Sequence, residues 1–259
     1  MNSKHYDNSG SAAICVLSYD GASDLWAPFF DGLMSAWPNL TLPVYLLTNH
    51  KQYDGPHNVR SLAVGEDRDW SSNLIKALDG IQERHILFIF DDFFIRKVDV
   101  LQADHFIKRC TQEGWGYLTL HPNNYIEKRL EQGIRQISEH GVYRCTLVYG
   151  IFRKDVLENL LKPGESAWDF EIESGIRARG LPLYSVEKRI FRHYHLLRKG
   201  KWMRPGFPAL AAKYDLDRSR PVETNFDYLL REAKEWVFRK YHKLLPGKMI
   251  ERRENRRKA

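Results

Sequence analysis

The segment HILFIFDD (residues 85–92) decides the predicted fold, because an apolar run ends abruptly in two carboxylates. A run of this length between polar residues is typical of a strand buried inside a sheet. Two similar runs, AAICVLS (12–18) and VYLLT (44–48), precede it, with helical apolar spacing over residues 24–37 between them. Strands that alternate with helices predict βαβ units and a mainly parallel α/β sheet.

The rest of the chain continues this pattern and becomes more mixed in its second half. Apolar stripes predict helices at residues 70–81, 100–112, 154–161 and 170–179, and short apolar runs predict strands at 59–64, 115–120, 145–152 and 183–186. Ser23 or Asp24 is the predicted N-cap of the first helix, and Ser71 or Ser72 that of the second. These elements together predict one α/β domain with a mixed, mainly parallel sheet.

Length and composition indicate a globular protein, since 259 residues with 43% hydrophobic side chains are enough for one sizeable core. No apolar run approaches the roughly 18 residues of a membrane span, and the polar N-terminus lacks the apolar segment of a signal peptide. Three widely spaced cysteines, Cys15, Cys110 and Cys145, contain no C-x-x-C pair. They argue against a disulfide scaffold or a cysteine zinc site and favour a cytoplasmic location.

The positive charge is concentrated at the C-terminus. The chain has a net charge of +7, and residues 231–259 contain 11 Lys or Arg against 4 Asp or Glu, so the rest of the chain is balanced. This distribution argues against a nucleic-acid groove across the whole fold. We divide the chain into a domain over residues 1–224 and an extension, an amphipathic helix with a basic tail, over residues 225–259. That helix either lies on an anionic membrane surface or packs on the domain.

The adjacent carboxylates Asp91 and Asp92 are the first candidate site. Ligands of open α/β sheets bind at the carboxyl ends of strands, where these two residues are expected. A shared cation would relieve their mutual repulsion, and carboxylate oxygens suit Mg²⁺ or Mn²⁺. The alternative is that both are loop carboxylates that cap the next segment.

Two further groups of polar residues suggest chemistry. Asp169, Glu171 and Glu173 lead into a helix, where one of them is a candidate general base and where the helix dipole alone also favours acids. At helical spacing Asp169 and Glu173 share a face and Glu171 points elsewhere. The alternate residues His193 and His195 point the same way on an extended segment, either as metal ligands or as an ordinary histidine pair.

Two segments resemble the GT-A-fold glycosyltransferases: ILFIFDDFFI (86–95), similar to their metal-binding D-x-D segment, and FEIESGIRARG (170–180), similar to their later acidic helix. The resemblance implies that Glu171, or else Asp169, is the base. It also implies that Asp92 binds Mn²⁺ or Mg²⁺ beside Asp91, and that His193 or His195 is a late metal ligand. A strict D-x-D is absent: Phe90 occupies the position of the first acid when Asp92 is aligned with the last, and Phe93 occupies the last position when Asp91 is aligned with the first.

The resemblance also implies a GT-A-like (Rossmann-like) fold and a set of donor-binding residues. These are Tyr19, Asp20, Asn49, Trp70, Asn73, Lys76 and Asp91. The implied function is transfer of a sugar from a nucleotide-sugar donor, a UDP-sugar, to a glycan or lipid-linked acceptor in bacterial capsule or lipopolysaccharide synthesis. The implied location is the cytoplasm, with peripheral contact at the inner face of the membrane.

Two other functions remain as alternatives. A sugar nucleotidyltransferase would have a similar strand–helix pattern and acidic site, but SYDG (18–21) is not the glycine-rich loop that such enzymes carry for a triphosphate. A non-enzymatic module could bind nucleic acid or an anionic surface through the basic tail. That alternative leaves Asp91, Asp92 and Glu171 without a role, and nucleic acid is not an expected partner.

Overall fold

A computed structural model describes residues 11–141, 143–204 and 206–241. Within-chain contacts divide them into two compact units, and the boundary along the sequence falls between Tyr194 and His195. The predicted division at residues 224 and 225 stays a prediction. Among the described residues, no helix combines the length and the apolar character that crossing a bilayer requires.

The first unit contains a mixed sheet and a separate two-stranded pair. Its strands, with the last one reaching His195, are β1 (Ala12–Leu17), β2 (Val44–Thr48), β3 (Arg60–Ala63), β4 (His85–Phe90), β5 (Phe93–Val98), β6 (Tyr117–Thr119), β7 (Ile126–Arg129), β8 (Ile134–Ile137), β9 (Gly150–Arg153), β10 (Tyr184–Val186) and β11 (Phe191–His195). A 3₁₀ helix (Asp20–Leu25) precedes the α-helices α1 (Trp26–Ala36), α2 (Trp70–Leu78), α3 (Val100–Gln112), α4 (Lys154–Leu160) and α5 (Ala167–Arg177).

The strand order of the main sheet is β3-β2-β1-β4-β9-β6-β10-β8-β7, and β5 pairs with β11. The first four strands are mutually parallel, so their carboxyl ends share one edge. Strand β9 runs antiparallel to both β4 and β6, which makes the second half of the sheet mixed. The predicted mixed, mainly parallel α/β sheet is therefore confirmed.

Both faces of the main sheet are covered, as a parallel sheet requires. Along β1, the side chains of Ile14 and Val16 join the core on one face, which also holds residues of α1 and α3. The alternate side chains of Cys15 and Leu17 join the core on the other face, with residues of α2, α4 and α5. Period-two burial on two apolar faces explains why β1 appears in the sequence as a continuous apolar run.

Several predicted bounds agree with the structure, and the predicted helix caps do not. β2, β4 and α3 begin and end where the sequence predicts. The first helix has no side-chain cap, because a 3₁₀ helix leads into it. Asp69, not Ser71 or Ser72, caps α2 by accepting a hydrogen bond from the Ser72 amide at 2.8 Å.

The second unit has its own small core. It contains the hairpin β12 (Leu197–Arg198) and β13 (Lys201–Trp202), followed by α6 (Gly206–Ala211) and α7 (Asn225–Tyr241). Trp202 is fully buried, stacks on Phe207 at 5.0 Å and donates a hydrogen bond to the Asp217 carbonyl. The helix predicted from Asn225 is confirmed. Its predicted end at Pro246-Gly247 and the basic tail lie outside the described residues.

Candidate active site

A cavity of about 260 Å³ opens at the carboxyl ends of β1, β2 and β3, next to the start of α2. We call it the edge cavity. Its polar and aromatic lining consists of Ser18, Tyr19, Thr48, Asn49, Asp67, Arg68, Asp69, Trp70 and Asn73. Four of the seven predicted donor-binding residues thus line one cavity. Polar groups that converge at this edge of an α/β sheet are a usual feature of ligand sites.

Two other predicted donor residues hold the walls of the edge cavity. The Asp20 carboxylate accepts hydrogen bonds from the amides of Asn49, His50 and Lys51 at 2.9 to 3.2 Å, which ties the end of β1 to the end of β2. Desolvation opposes ionisation of Asp20, but these backbone hydrogen bonds hold its pKa below the usual value. Lys76 donates a hydrogen bond to the Val64 carbonyl.

Asp91, the remaining predicted donor residue, follows β4 and is buried. Ser18, which lines the cavity, donates a hydrogen bond to the Asp91 carboxylate and accepts one from Trp26 Nε1 at 2.7 Å. Burial, reinforced by the charge of neighbouring Asp92, raises the pKa of Asp91 to about 8. Asp92 is half-buried, and desolvation raises its pKa to about 6.

An aromatic cluster follows the acid pair. His193 stacks on Phe93 with ring centroids 4.2 Å apart, and its Nδ1 shares a hydrogen bond of 2.7 Å with the Tyr149 hydroxyl. Tyr149 has a left-handed backbone, with φ of 54°, and its ring stacks on Phe191. The charge of Asp92 also contributes to raising the pKa of Tyr149, after burial. His193 therefore lies in the same neighbourhood as Asp92.

The fit of a divalent cation depends mainly on Asp92. Within the described ranges, no group of three or more His, Cys, Asp or Glu side chains is placed to hold a metal ion. Asp91 is engaged by Ser18 and His193 by Tyr149, while His195 is exposed and begins the second unit. Mg²⁺ is often held by one or two carboxylates together with substrate phosphates and water. Asp92 fits that kind of donor set.

Glu171 lies on the second turn of α5 and is oriented by the loop that precedes β9. Glu171 Oε1 accepts hydrogen bonds from the Thr146 hydroxyl and the Leu147 amide, both at 2.8 Å. Glu171 Oε2 has no hydrogen-bond partner in the described part of the chain. Burial raises the pKa of Glu171, and the two hydrogen bonds oppose that rise.

Asp169 has a structural role in the same helix. Its carboxylate accepts hydrogen bonds from the Ser166 amide and hydroxyl, and Ser166 Oγ accepts one from the Asp169 amide. This reciprocal arrangement is a capping box, which satisfies amides at the helix start. The helix therefore begins at Ala167, three residues before the predicted start at Phe170.

Contacts of two lining residues, Ser18 and Trp70, connect the edge cavity to Asp91 and to the segment that holds Glu171. Ser18 lines the cavity and bonds to Asp91. Trp70 lines it and packs against Phe170 at 5.4 Å, and Phe170 directly precedes Glu171. The edge cavity therefore contacts Asp91 through Ser18 and the segment before Glu171 through Trp70.

Sequence reasoning missed several residues of this site. Ser18, Arg68, Thr146 and Tyr149 each line the cavity or contact a candidate residue, and none was predicted to do so. Ser18 and Arg68 had a positional signal, because one follows β1 directly and the other directly precedes the cap of α2. Thr146 and Tyr149 lie inside an apolar run that predicts a strand, so the sequence offered no signal for them.

No protein-family model matches the chain, and no curated protein sequence matches it. Among solved structures, residues 1–349 of S. aureus TarS match with a TM-score of 0.50 and 10% identity, over 70% of this chain and 59% of that one. The same fragment in complex with UDP matches with a TM-score of 0.50 and 11% identity over the same shares.

The chain thus spans about three fifths of the length of the TarS fragment, and identities this low establish the fold alone. A structure of CMP:2-keto-3-deoxy-manno-octonic acid synthetase with CTP has a TM-score of 0.46, which is too low to support a fold assignment. TarS is a GT-A-type glycosyltransferase of bacterial cell-wall polymer synthesis. The chain therefore has the Rossmann-like GT-A fold that the resemblance implies.

Proposed function

We propose that the chain is a glycosyltransferase that moves a sugar from a nucleotide-sugar donor to a hydroxyl of a glycan or lipid-linked acceptor. The connection of the edge cavity to both acidic groups carries the proposal: Ser18 joins the cavity to Asp91, and Trp70 with Phe170 joins it to the segment that holds Glu171. A transferase of this kind needs a donor site, a group at the diphosphate and a base at the acceptor, in adjacent places.

The edge cavity is the proposed donor site. Its lining combines the aromatic rings of Tyr19 and Trp70 with the polar side chains of Asn49 and Asn73. Aromatic faces suit a nucleobase, and amides suit its hydrogen-bonding edge and the ribose hydroxyls. Arg68 supplies a guanidinium at the rim, which suits diphosphate oxygens. Because TarS has been solved with UDP, we propose a UDP-sugar as the donor.

Asp92, with Asp91 behind it, is the proposed site for Mn²⁺ or Mg²⁺ together with the donor diphosphate. A bound divalent cation would stabilise negative charge on the departing nucleotide. The hydrogen bond between Ser18 and Asp91 holds the turn after β4, to which Asp92 belongs. His193, held by Tyr149, belongs to the same neighbourhood and is a proposed additional ligand, whereas His195 stays a prediction from the sequence.

Glu171 is the proposed general base, and we call residues 143–149, which orient its carboxylate, the acceptor loop. Its Oε2 takes the proton of the acceptor hydroxyl, the acceptor oxygen forms the bond to the anomeric carbon, and the bond from that carbon to the diphosphate breaks. The products are the glycosylated acceptor, protonated Glu171 and the nucleoside diphosphate. The desolvated setting that raises the pKa of Glu171 also makes it a stronger base than an exposed carboxylate. Direct attack of this kind inverts the anomeric centre.

A lipid-linked acceptor would also agree with the character of the C-terminal extension. On α7 the apolar side chains of Phe226, Leu229 and Leu230 are exposed, and the sequence after residue 231 is strongly basic. These features support peripheral contact with an anionic membrane at its inner face, as in capsule or lipopolysaccharide synthesis. We expect the protein to sediment with phosphatidylglycerol vesicles in a salt-sensitive manner, and we expect deletion of residues 246–259 to abolish this sedimentation. Unchanged sedimentation after the deletion would contradict membrane contact through the tail.

Thermal unfolding with UDP and UDP-N-acetylglucosamine, with and without Mn²⁺, tests the donor proposal. A ligand at 100 times its Kd stabilises the folded state by about 2.7 kcal/mol. We expect a Mn²⁺-dependent rise in Tm for the wild type and for the surface control Asp104→Asn, and its loss in Asp92→Asn. If no nucleotide or nucleotide sugar raises Tm in any condition, the proposal is wrong. Pyrophosphate release from CTP or UTP with a sugar phosphate would instead establish a nucleotidyltransferase.

A further inference from the structure

Two aromatic rings form an open corner on the first turn of α5. Trp168 is 53% exposed, although tryptophan is among the side chains that are usually well covered. Its ring meets the ring of Tyr143 edge to face, with centroids 5.8 Å apart and planes at 73°. The corner therefore presents a broad apolar face to solvent beside a second ring, and none of the roles described above uses it.

The corner lies next to the proposed base, Glu171, because residues 143–149 and α5 contact each other at two points with the same spacing along the chain. Tyr143 contacts Trp168, and three residues later Thr146 contacts Glu171. Trp168 and Glu171 are separated by three positions on α5, so they are neighbours on one side of the helix, with Cβ atoms about 5–6 Å apart. A ring-sized ligand on Trp168 would therefore reach the Glu171 carboxylate.

The corner is also held in place before any ligand arrives. Tyr143 has a left-handed backbone, with φ of 52°, which is unfavourable for a residue with a bulky side chain. The Asn123 side chain donates a hydrogen bond from Nδ2 to the Tyr143 carbonyl. Arg144 is fully buried and donates to the carbonyls of Ser138 and Gly175, which fixes the loop against α5. A surface held by this many contacts is preorganised for binding.

We propose that Trp168 and Tyr143 form the binding site for the accepting sugar ring of the acceptor, with the ring stacked on Trp168. A pyranose has an apolar face of C–H groups and a polar edge of hydroxyls. Burial of the C–H face on an indole is favourable, and the hydroxyl edge then meets the Glu171 carboxylate. A single aromatic corner is much smaller than a protein–protein interface, which buries about 800 Å² on each partner.

This inference rests on the proposed function and is tested separately from it. The probes are octyl β-glycosides of glucose, galactose and N-acetylglucosamine, titrated against intrinsic tryptophan fluorescence without donor and then used as acceptors with UDP-N-acetylglucosamine. We expect at least one probe to change the fluorescence of the wild type with a millimolar Kd. Trp168→Ala is expected to abolish that change and to raise the KM of the acceptor about tenfold, with a smaller effect on kcat.

Two further variants distinguish stacking from a structural effect. Trp168→Tyr keeps an aromatic face and is expected to restore most of the acceptor affinity. Ile176→Ala removes a similarly exposed apolar side chain two turns along the same helix and is expected to change neither KM nor fluorescence. If Trp168→Ala binds and uses the probes as the wild type does, or if no probe binds the wild type, the inference is wrong.

The donor measurements separate the two proposals. The nucleotide-dependent rise in Tm does not involve Trp168, so it is expected to be the same in Trp168→Ala and in the wild type. Loss of that rise in the wild type would contradict the proposed function itself. A normal nucleotide-dependent rise in Tm, together with an acceptor KM that is the same in Trp168→Ala and in the wild type, would contradict only the acceptor site.

Discussion

The edge cavity and the acceptor loop lie on the same unit and are built by different means. The cavity is formed by the ends of parallel strands, and backbone amides tie β1 to β2 through Asp20. The acceptor loop depends on side chains: Arg144 reaches the Gly175 carbonyl, and Thr146 reaches Glu171. We therefore expect single substitutions at the acceptor loop or Glu171 to change chemistry or local order, while the edge cavity still binds the nucleotide.

The largest expected effect is that of Glu171→Gln on transfer. The amide oxygen still accepts the hydrogen bonds of Thr146 and Leu147, so the loop stays in place, but the side chain no longer removes a proton. We expect the transfer rate to fall about 10³-fold, with an unchanged nucleotide-dependent rise in Tm. Glu158→Gln, on the exposed surface of α4, is the matched control and is expected to remain fully active. A fully active Glu171→Gln enzyme would remove Glu171 from the mechanism.

The second effect is on stability. A Cβ added at Gly150 would lie 2.2 Å from the Thr146 carbonyl oxygen and 3.0 Å from the Phe152 ring, so the acceptor loop would have to move. We expect Gly150→Ala to lower the free energy of unfolding by about 3 kcal/mol, as measured by urea denaturation. At Gly175 the added Cβ makes only ordinary contacts of 3.5 Å or more, and Gly175→Ala is expected to be neutral or slightly stabilising. Equal effects of the two substitutions would contradict this account of the loop.

The smallest expected effect is a change in pH dependence. The Thr146 hydroxyl donates to the ionised form of Glu171 and so lowers its pKa, against the rise caused by burial. Thr146→Val removes that hydrogen bond, so the pKa of Glu171 rises further. Because the base must be ionised, activity below the pKa is lost, and the acid limb of the kcat/KM profile is expected to move to higher pH.

Activity of Thr146→Val at alkaline pH is expected to be close to that of the wild type, since Glu171 is ionised there in both proteins. Thr111→Val removes another buried threonine hydroxyl, which bonds to the Lys108 carbonyl within α3, and should leave the pH profile unchanged. An acid limb that stays in place, or moves to lower pH, in Thr146→Val would be inconsistent with Glu171 as the titrating base.

Local sequence pattern predicted the strands beside the edge cavity but not the cap of α2. The bounds of β2 and β4 were predicted correctly, because each is a short apolar run that ends in polar residues. The choice of Tyr19 and Asn49 as candidates came from the resemblance to GT-A-fold glycosyltransferases, and both line the edge cavity because they come just after β1 and β2, which are parallel. Asp69 was missed as the cap of α2, because the sequence placed several capping residues side by side and did not indicate that Asp69 also accepts from the Gly164 amide.

The acceptor side could not be predicted in the same way. The apolar run at residues 145–152 predicts a strand from Cys145, but β9 begins only at Gly150. Thr146 Oγ1 accepts a hydrogen bond from the Val148 amide, and Tyr149 adopts a left-handed backbone, so the segment turns where its composition favours extension. These conformations are stabilised by partners such as Glu171 and His193, which are 25 and 44 residues away in sequence.

The sequence by itself determined the α/β class, the parallel strands with their polar ends and the acid pair after β4, because apolar periodicity and strand-end placement are local properties. Only the tertiary structure decided which acids are engaged. In the folded chain Asp169 forms the capping box of α5, and Asp91 is buried beside Ser18. Glu171 is hydrogen-bonded to Thr146 of the acceptor loop. Burial and hydrogen bonding between distant segments govern these roles, and neither is encoded in the spacing of neighbouring residues.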